Sequence, residues 1–142
     1  MRFCKDKDTG QIMTEADAQK KAPAGFYQRF ALVTGQDAAI AEILHVIKTH
    51  EPADSYKYML LDRLRTDCGY FLGNGNRYAG HLWAAGSVET HLECMRILWD
   101  SFPDEDKPEW LTRDDLERYA QDMAGVSLEE ATGGKDRSYF AI

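Results

Sequence analysis

The sequence predicts a mainly α fold with a small β element (α+β): about four or five helices packed around a long central helix. Three observations predict it. Apolar residues recur at three- and four-residue spacing in several windows after Gly35, each closed by Gly or Pro. Strand-like alternation around a turn signal occupies the first 13 residues. A chain of 142 residues with 44% hydrophobic side chains is the size of one domain with a single sizeable core.

The elements follow in order. Phe3 alternates with polar neighbours, Asp8-Thr9-Gly10 is a turn signal, and Ile12-Met13 resumes the apolar pattern, so a hairpin is expected. Thr14, with Asp17 three residues on, caps a short helix over Glu15–Lys21. Pro23 and Gly25 break the chain. Phe26–Val33 fits either a helix or a strand, because its aromatics and Val suit both. After Gly35, Asp37 is the expected cap of a helix whose stripe is Ile40, Ile43, Leu44 and Ile47, ended by His50 and Pro52.

The long helix starts near Asp54-Ser55. Its predicted buried stripe is Met59, Leu60, Leu64, Cys68, Phe71 and Leu72, widened by Leu61. Gly73 is expected to close it in the left-handed conformation, and Asn74-Gly75-Asn76 allows a sharp reversal. Ser87 caps the next helix, whose seam is Val88, Leu92, Met95, Trp99 and Phe102, and Pro103 stops it. Pro108-Glu109-Trp110-Leu111 anchors a loop. Thr112 and Asp115 form a capping-box variant for a last helix with Leu116, Tyr119, Ala120 and Met123 inward, ended by Gly125. Ser127–Gly134 reads as a loose polar segment. Tyr139–Ile142 is apolar, and it either joins the hairpin as a strand or enters a groove. The whole of 1–142 is expected to be one domain: hairpin and helices over 1–50, a helical core over 55–123, and a tail over 124–142.

Composition narrows the function classes. A mean hydropathy of -0.52 and no long apolar run argue against a membrane span. The start, MRFCKDKDTG, lacks the apolar centre of a secretory signal, so a cytoplasmic protein is expected. Cys4, Cys68 and Cys94 are three thiols at no framework spacing, which fits reduced, buried cysteines. The net charge is -7, and residues 101–142, with 5 basic and 11 acidic side chains, supply -6 of it. Direct nucleic-acid binding needs a basic footprint that is missing here. An acidic surface suits a protein partner with a basic surface, and also serves solubility.

A stretch of the chain resembles a known family. Tyr58-Met59-Leu60-Leu61-Asp62-Arg63-Leu64-Arg65, Asp67-Cys68, Tyr70-Phe71-Leu72-Gly73-Asn74-Gly75-Asn76-Arg77, His81-Leu82-Trp83, Trp99 and Pro108-Glu109-Trp110-Leu111-Thr112 resemble the large polyvalent protein-associated domain 11 of phages and mobile genetic elements. The resemblance covers about half the chain, from about Tyr56 to Met123. It implies a setting, since polyvalent proteins accompany invading DNA and protect it or modify the bacterial host. A free-standing acidic copy is then expected to inhibit a host defence nuclease, as an anti-CRISPR protein does.

Each candidate site has a structural reading beside the functional one. Gly73–Arg77 can cradle an anion with Arg77 adding charge, but these glycines close a helix, where the dipole repels anions. Arg77 can equally anchor Asp67 or a helix carbonyl. Cys68, His81, His91 and Cys94 include an i,i+3 pair suited to zinc, yet the cysteines sit on or beside apolar stripes. Cys68 with His81 is a conceivable nucleophile pair without an oxyanion-hole signature. Asp62 and Asp67 do not share a helix face. The run Asp100–Asp122 holds nine carboxylates and three basic residues, a pattern that can imitate a phosphate backbone. Trp83, Trp99 and Trp110 are either core or interface anchors.

The resulting expectation is a non-enzymatic binding protein with no catalytic residue, metal or cofactor. Its expected partner, of the class of a CRISPR effector or other defence nuclease, would meet Asp104, Glu105, Asp106, Asp114, Asp115, Arg77 and Trp110. The alternatives are a small enzyme or metal-dependent modifier using Cys68, His81 and Arg77, or a plain protein-interaction domain.

Overall fold

The computed structural model describes residues 1–84 and 86–142. The hairpin forms as read: β1 (Phe3–Asp6) pairs antiparallel with β2 (Ile12–Thr14), with Cys4 opposite Met13. Thr14 accepts from the Asp17 N–H and starts α1 (Glu15–Lys21). The ambiguous Phe26–Val33 segment is divided between both options. One helical turn, α2 (Phe26–Arg29), runs directly into β3 (Phe30–Leu32), which pairs antiparallel with the other side of β1. The sheet order is therefore β2-β1-β3. Asp6 is buried at the end of β1 and accepts two hydrogen bonds from Arg29, at 2.9 and 3.2 Å.

Four longer helices follow: α3 (Gly35–Thr49), α4 (Ser55–Leu72), α5 (Val88–Asp100) and α6 (Arg113–Ala124). Asp37 does not cap α3. The helix begins two residues earlier, with Thr34 in the cap position, and Asp37 instead accepts from the Tyr139 hydroxyl. Asp54 caps α4, Ser87 caps α5, and Thr112 with Asp115 makes both halves of a capping box on α6. Gly125 closes α6 in the left-handed conformation.

The shorter α5 meets more neighbours than α4. It packs against α3, α4, α6 and the short α7 (Leu128–Thr132). Its seam residues Leu92, Met95 and Phe102 are buried, and so are Thr90, His91, Glu93, Cys94 and Leu98. A helix buried on most of its circumference is a core helix. The main core runs from Ile40 and Ile43 through Leu61, Leu64 and Phe71 to Leu111, Leu116 and Leu128.

One stretch differs from the sequence reading, and another is decided between its two options. Ser127–Gly134 is not loose. Ser127 accepts from the Glu130 N–H to start α7, and Leu128, Ala131 and Thr132 are buried. Five residues are too few for a periodic signal, so the helix exists because α5 and α6 supply its neighbours. The tail takes the sheet-joining option. Ile12 N–H donates to Tyr139 O at 2.7 Å and Ala141 N–H to Ile12 O at 2.6 Å, a single parallel bridge beside β2. Phe3, Ile12 and Ala41 form a small cluster with Tyr139 and Phe140 that ties sheet and tail to α3.

Candidate partner-binding surface

The buried side of α4 is Lys57, Leu60, Leu61, Leu64, Cys68 and Phe71. Met59, expected inside, is 61% exposed. The reason lies in the angular period. Tyr56, Met59, Arg63, Thr66 and Tyr70 are spaced 3, 4, 3 and 4, which places them on one stripe roughly opposite the buried one. All five are exposed, Tyr56 by 38% and Tyr70 by 47%. A helix of 18 residues is about 27 Å long. Its outward face thus carries three large, exposed apolar or aromatic residues along most of its length, with His50 stacked on Tyr56 at one end and His81 beside Tyr70 at the other.

Lys57 lies on the inward side, with Leu60, Leu61 and Leu64. Its ammonium donates to Pro52 O at 2.8 Å and lies 4.4 Å from the Phe102 ring centre. Burial pushes its pKa below the usual lysine value, opposed by Asp54. One positively charged group on the inner stripe is tolerated because a carbonyl and a ring face meet it.

Trp110 stands at the flank of this outward face. Its ring is 38% exposed and the Arg65 guanidinium lies 4.8 Å from its centre. Tyr58, Met59, Asp62, Arg65 and Trp110 line a shallow concavity of about 450 Å³. Tyr58 is held rigidly, stacked on Phe102 at 4.6 Å, with its hydroxyl donating to Asp106 O at 2.6 Å. That bond joins the acidic 3-10 turn Asp104–Asp106 to the concavity. Trp83 and Trp99 pack against the core, and the Trp99 indole donates to Leu111 O at 2.9 Å.

The acidic residues divide into two groups. Asp104 pairs with Lys107 at 3.2 Å, and Asp115 with Arg118 at 2.9 Å. The Thr112 N–H, together with Arg118, holds the Asp115 carboxyl below its ordinary pKa. Asp100 and Glu117 have longer contacts of 3.7 Å to Arg96 and Arg113. Among the described residues, Glu105, Asp106, Glu109, Asp114 and Asp122 make no ion pair within the chain. These five are the carboxylates left to an external cation.

Arg77 takes the carbonyl option of the two anchors open to it. Its guanidinium donates to Asp122 O at 2.7 Å and Met123 O at 3.3 Å, at the C-terminal end of α6, and lies 5.3 Å from the Phe71 ring. A cation there satisfies orphan carbonyls and the negative end of the helix dipole. The turn that delivers it is not a left-handed glycine cap. Gly73 has φ -112°, and the left-handed residues are Asn76 (φ 51°) and Arg77 (φ 60°). Asp67 pairs with Arg63 at 3.6 Å instead.

Cysteines and histidines lie apart in kind. Cys68 is buried, donates to Met95 Sδ at 3.3 Å, and burial pushes its thiol up to about 12. Cys94 is buried and pushed up by the same cause. His91 is buried, with Nε2 2.9 Å from Leu64 O, so Nε2 carries the proton and donates. Burial lowers its pKa and favours the neutral ring, whose Nδ1 has no partner. His81 is exposed between Tyr70 and Tyr78. Among the described residues no group of three or more His, Cys, Asp or Glu side chains is placed to hold a metal ion.

Sequence reasoning singled out Trp110 and the acidic turn as candidates and did not mark the outer stripe of α4. The signal was present: Tyr56, Met59 and Tyr70 make a second apolar series on a helix that already had one.

The molecule is a mainly helical α+β protein with a long helix whose outer face exposes Tyr56, Met59 and Tyr70. Residues 54–123 match the family model of the large polyvalent protein-associated domain 11. The match runs from the cap of α4 to the last turn of α6, so the outer stripe, the Arg77 turn and Trp110 all lie within it. No curated protein and no solved structure matches the chain. Among the described residues no helix is long and apolar enough to cross a membrane.

Proposed function

We propose that the chain is a non-enzymatic binding protein of a phage or other mobile element, docking on a basic surface of a host protein. The partner class that fits the family setting is a defence nuclease, with a CRISPR effector as the first to test. One observation carries the reading: the outer face of α4 exposes Tyr56, Met59 and Tyr70 beside a concavity floored by Trp110. Protein interfaces are enriched in Tyr, Trp, Met and Arg, and this surface offers all four. Asp106 and Glu109 lie beside Tyr58 and Trp110 without an internal cation, which favours a basic partner and speeds its encounter.

The test is a plasmid-interference assay in bacteria carrying a CRISPR system, followed by target-DNA cleavage with the purified nuclease. The chain is expected to relieve interference and slow cleavage. Met59→Asp and Trp110→Ala should each weaken this by roughly 30-fold, the effect of losing a hot spot of about 2 kcal/mol. Met59→Asp should leave folding stability within about 0.5 kcal/mol, since the side chain touches mainly solvent. Asp106→Lys with Glu109→Lys should weaken binding and flatten its salt dependence. A chain that relieves no defence system removes the inhibitory role. Folded variants that act like the parent remove this docking surface.

A further inference from the structure

We propose that the aromatic cluster Tyr70–His81–Tyr78 beside the Leu72–Arg77 turn receives a cationic side chain, an arginine guanidinium or lysine ammonium, of the docking partner. This rests on the docking function above and names a contact within it. The His81 ring lies 5.4 Å from the Tyr70 ring in a tilted arrangement and 4.9 Å from Tyr78 edge to face. Both tyrosines are large and open, with Tyr78 63% exposed.

The backbone is shaped around these rings. A Cβ on Gly75 would stand 2.7 Å from Tyr70 O and 2.9 Å from a Tyr70 ring carbon. A Cβ on Gly80 would stand 2.7 Å from the Tyr78 ring. Two glycines thus let two half-solvated rings settle against main chain. The connecting turn also holds two non-glycine residues, Asn76 and Arg77, in the left-handed region, which L-residues resist. Core packing does not account for rings so exposed.

Cation chemistry is indicated by four rings that already face a cation. Lys57 faces Phe102, Arg65 faces Trp110, Arg77 faces Phe71 and Lys107 faces Trp99, at 4.4 to 5.3 Å. Among the described residues Tyr70 and Tyr78 receive no such cation. Arg77, the cation of the turn, points to the α6 carbonyls, and Arg63, on the Tyr70 stripe, is paired with Asp67. The chain as a whole carries a net charge of -7. Open, electron-rich ring faces in an acidic molecule favour a cation over an anion, and a cation that also sheds water there gains most.

The experiment is an NMR titration of the full chain with N-acetyl-arginine amide and N-acetyl-lysine amide, following the His81 imidazole and tyrosine ring signals. N-acetyl-leucine amide and thymidine monophosphate serve as comparison probes. Saturable shifts at Tyr70, Tyr78 and His81 are expected with the two cations, at least 10-fold tighter than with either comparison probe. Tyr78→Leu should weaken arginine binding at least 5-fold. Tyr78→Phe should retain it, and so should Tyr27→Leu, which removes an exposed ring on α2. Equal or tighter binding of the leucine or thymidine probe overturns the inference, as do shifts confined to Asp104–Asp106 or no shift at all. If Met59→Asp abolishes partner docking while Tyr78→Leu leaves it intact, this contact falls and the docking surface stands. If neither variant affects docking, the surface itself falls.

Discussion

Arg77→Ala separates an architectural arginine from a partner-binding one. In the folded chain the guanidinium makes one short bond to Asp122 O, a longer one to Met123 O, and a ring contact with Phe71. A hydrogen bond from a charged donor contributes about 1.5 kcal/mol at an exposed site. An exposed cation–ring contact adds about 0.5 kcal/mol. The helix-end charge effect overlaps the first figure and is not added. Removing the side chain should therefore destabilise the chain by about 2 kcal/mol, or roughly 8 °C in Tm at this length. Arg77→Gly makes an internal control. It loses the same contacts but relieves the left-handed backbone at φ 60°, a gain of about 1 kcal/mol over Ala. The assay is urea unfolding followed by circular dichroism, with an unchanged m-value showing that the same surface is exposed. An Ala variant within about 0.5 kcal/mol of the parent refutes the anchoring role, and a Gly variant no more stable than Ala refutes the backbone strain at this position. Normal stability with lost partner binding would return Arg77 to the docking surface.

Two further outcomes follow from titration and burial. Arg29 and the Asp8 N–H hold the Asp6 carboxyl down to about 2, so its folded pKa is depressed. Its contribution to stability is present above the ordinary aspartate pKa and is lost as pH falls toward 2; Asp6→Asn should flatten acid unfolding in that window, monitored by fluorescence, and an unchanged acid limb would count against the buried pair. Cys68 and Cys94 are buried with thiols pushed upward, so a thiol reagent at pH 8 should modify neither until denaturant is added. Rapid native modification of Cys68 would reopen it as a reactive group.

The legible parts of the fold were those written in local rules. Thr14, Asp54, Ser87 and Thr112 each cap the helix they precede, because a side-chain oxygen that accepts an amide needs only its own next few residues. The inner stripes of α5 and α6, and that of α4 apart from Met59 and Lys57, follow from period. Phe26–Leu32 was ambiguous for the same reason in reverse: its residues suit helix and strand, and pairing with β1 decides where one stops. The helix at Leu128–Thr132 is set by what it packs on, and the left-handed residues expected at Gly73 fall instead at Asn76 and Arg77, the residue that reaches α6.

The site was legible in composition and illegible in arrangement. The sequence by itself determined the helical class, the caps, the acid-rich last third and the family stretch, since each depends on residues near one another in the chain. Tertiary structure alone decided that Lys57 is buried, against Pro52 O and the Phe102 ring. It also decided which carboxylates lack a cation, that Arg77 closes a helix end 45 residues away, and that Tyr70, Tyr78 and His81 meet on the surface. Those outcomes depend on which faces other helices cover, and periodicity can define a face without saying what, if anything, will lie against it.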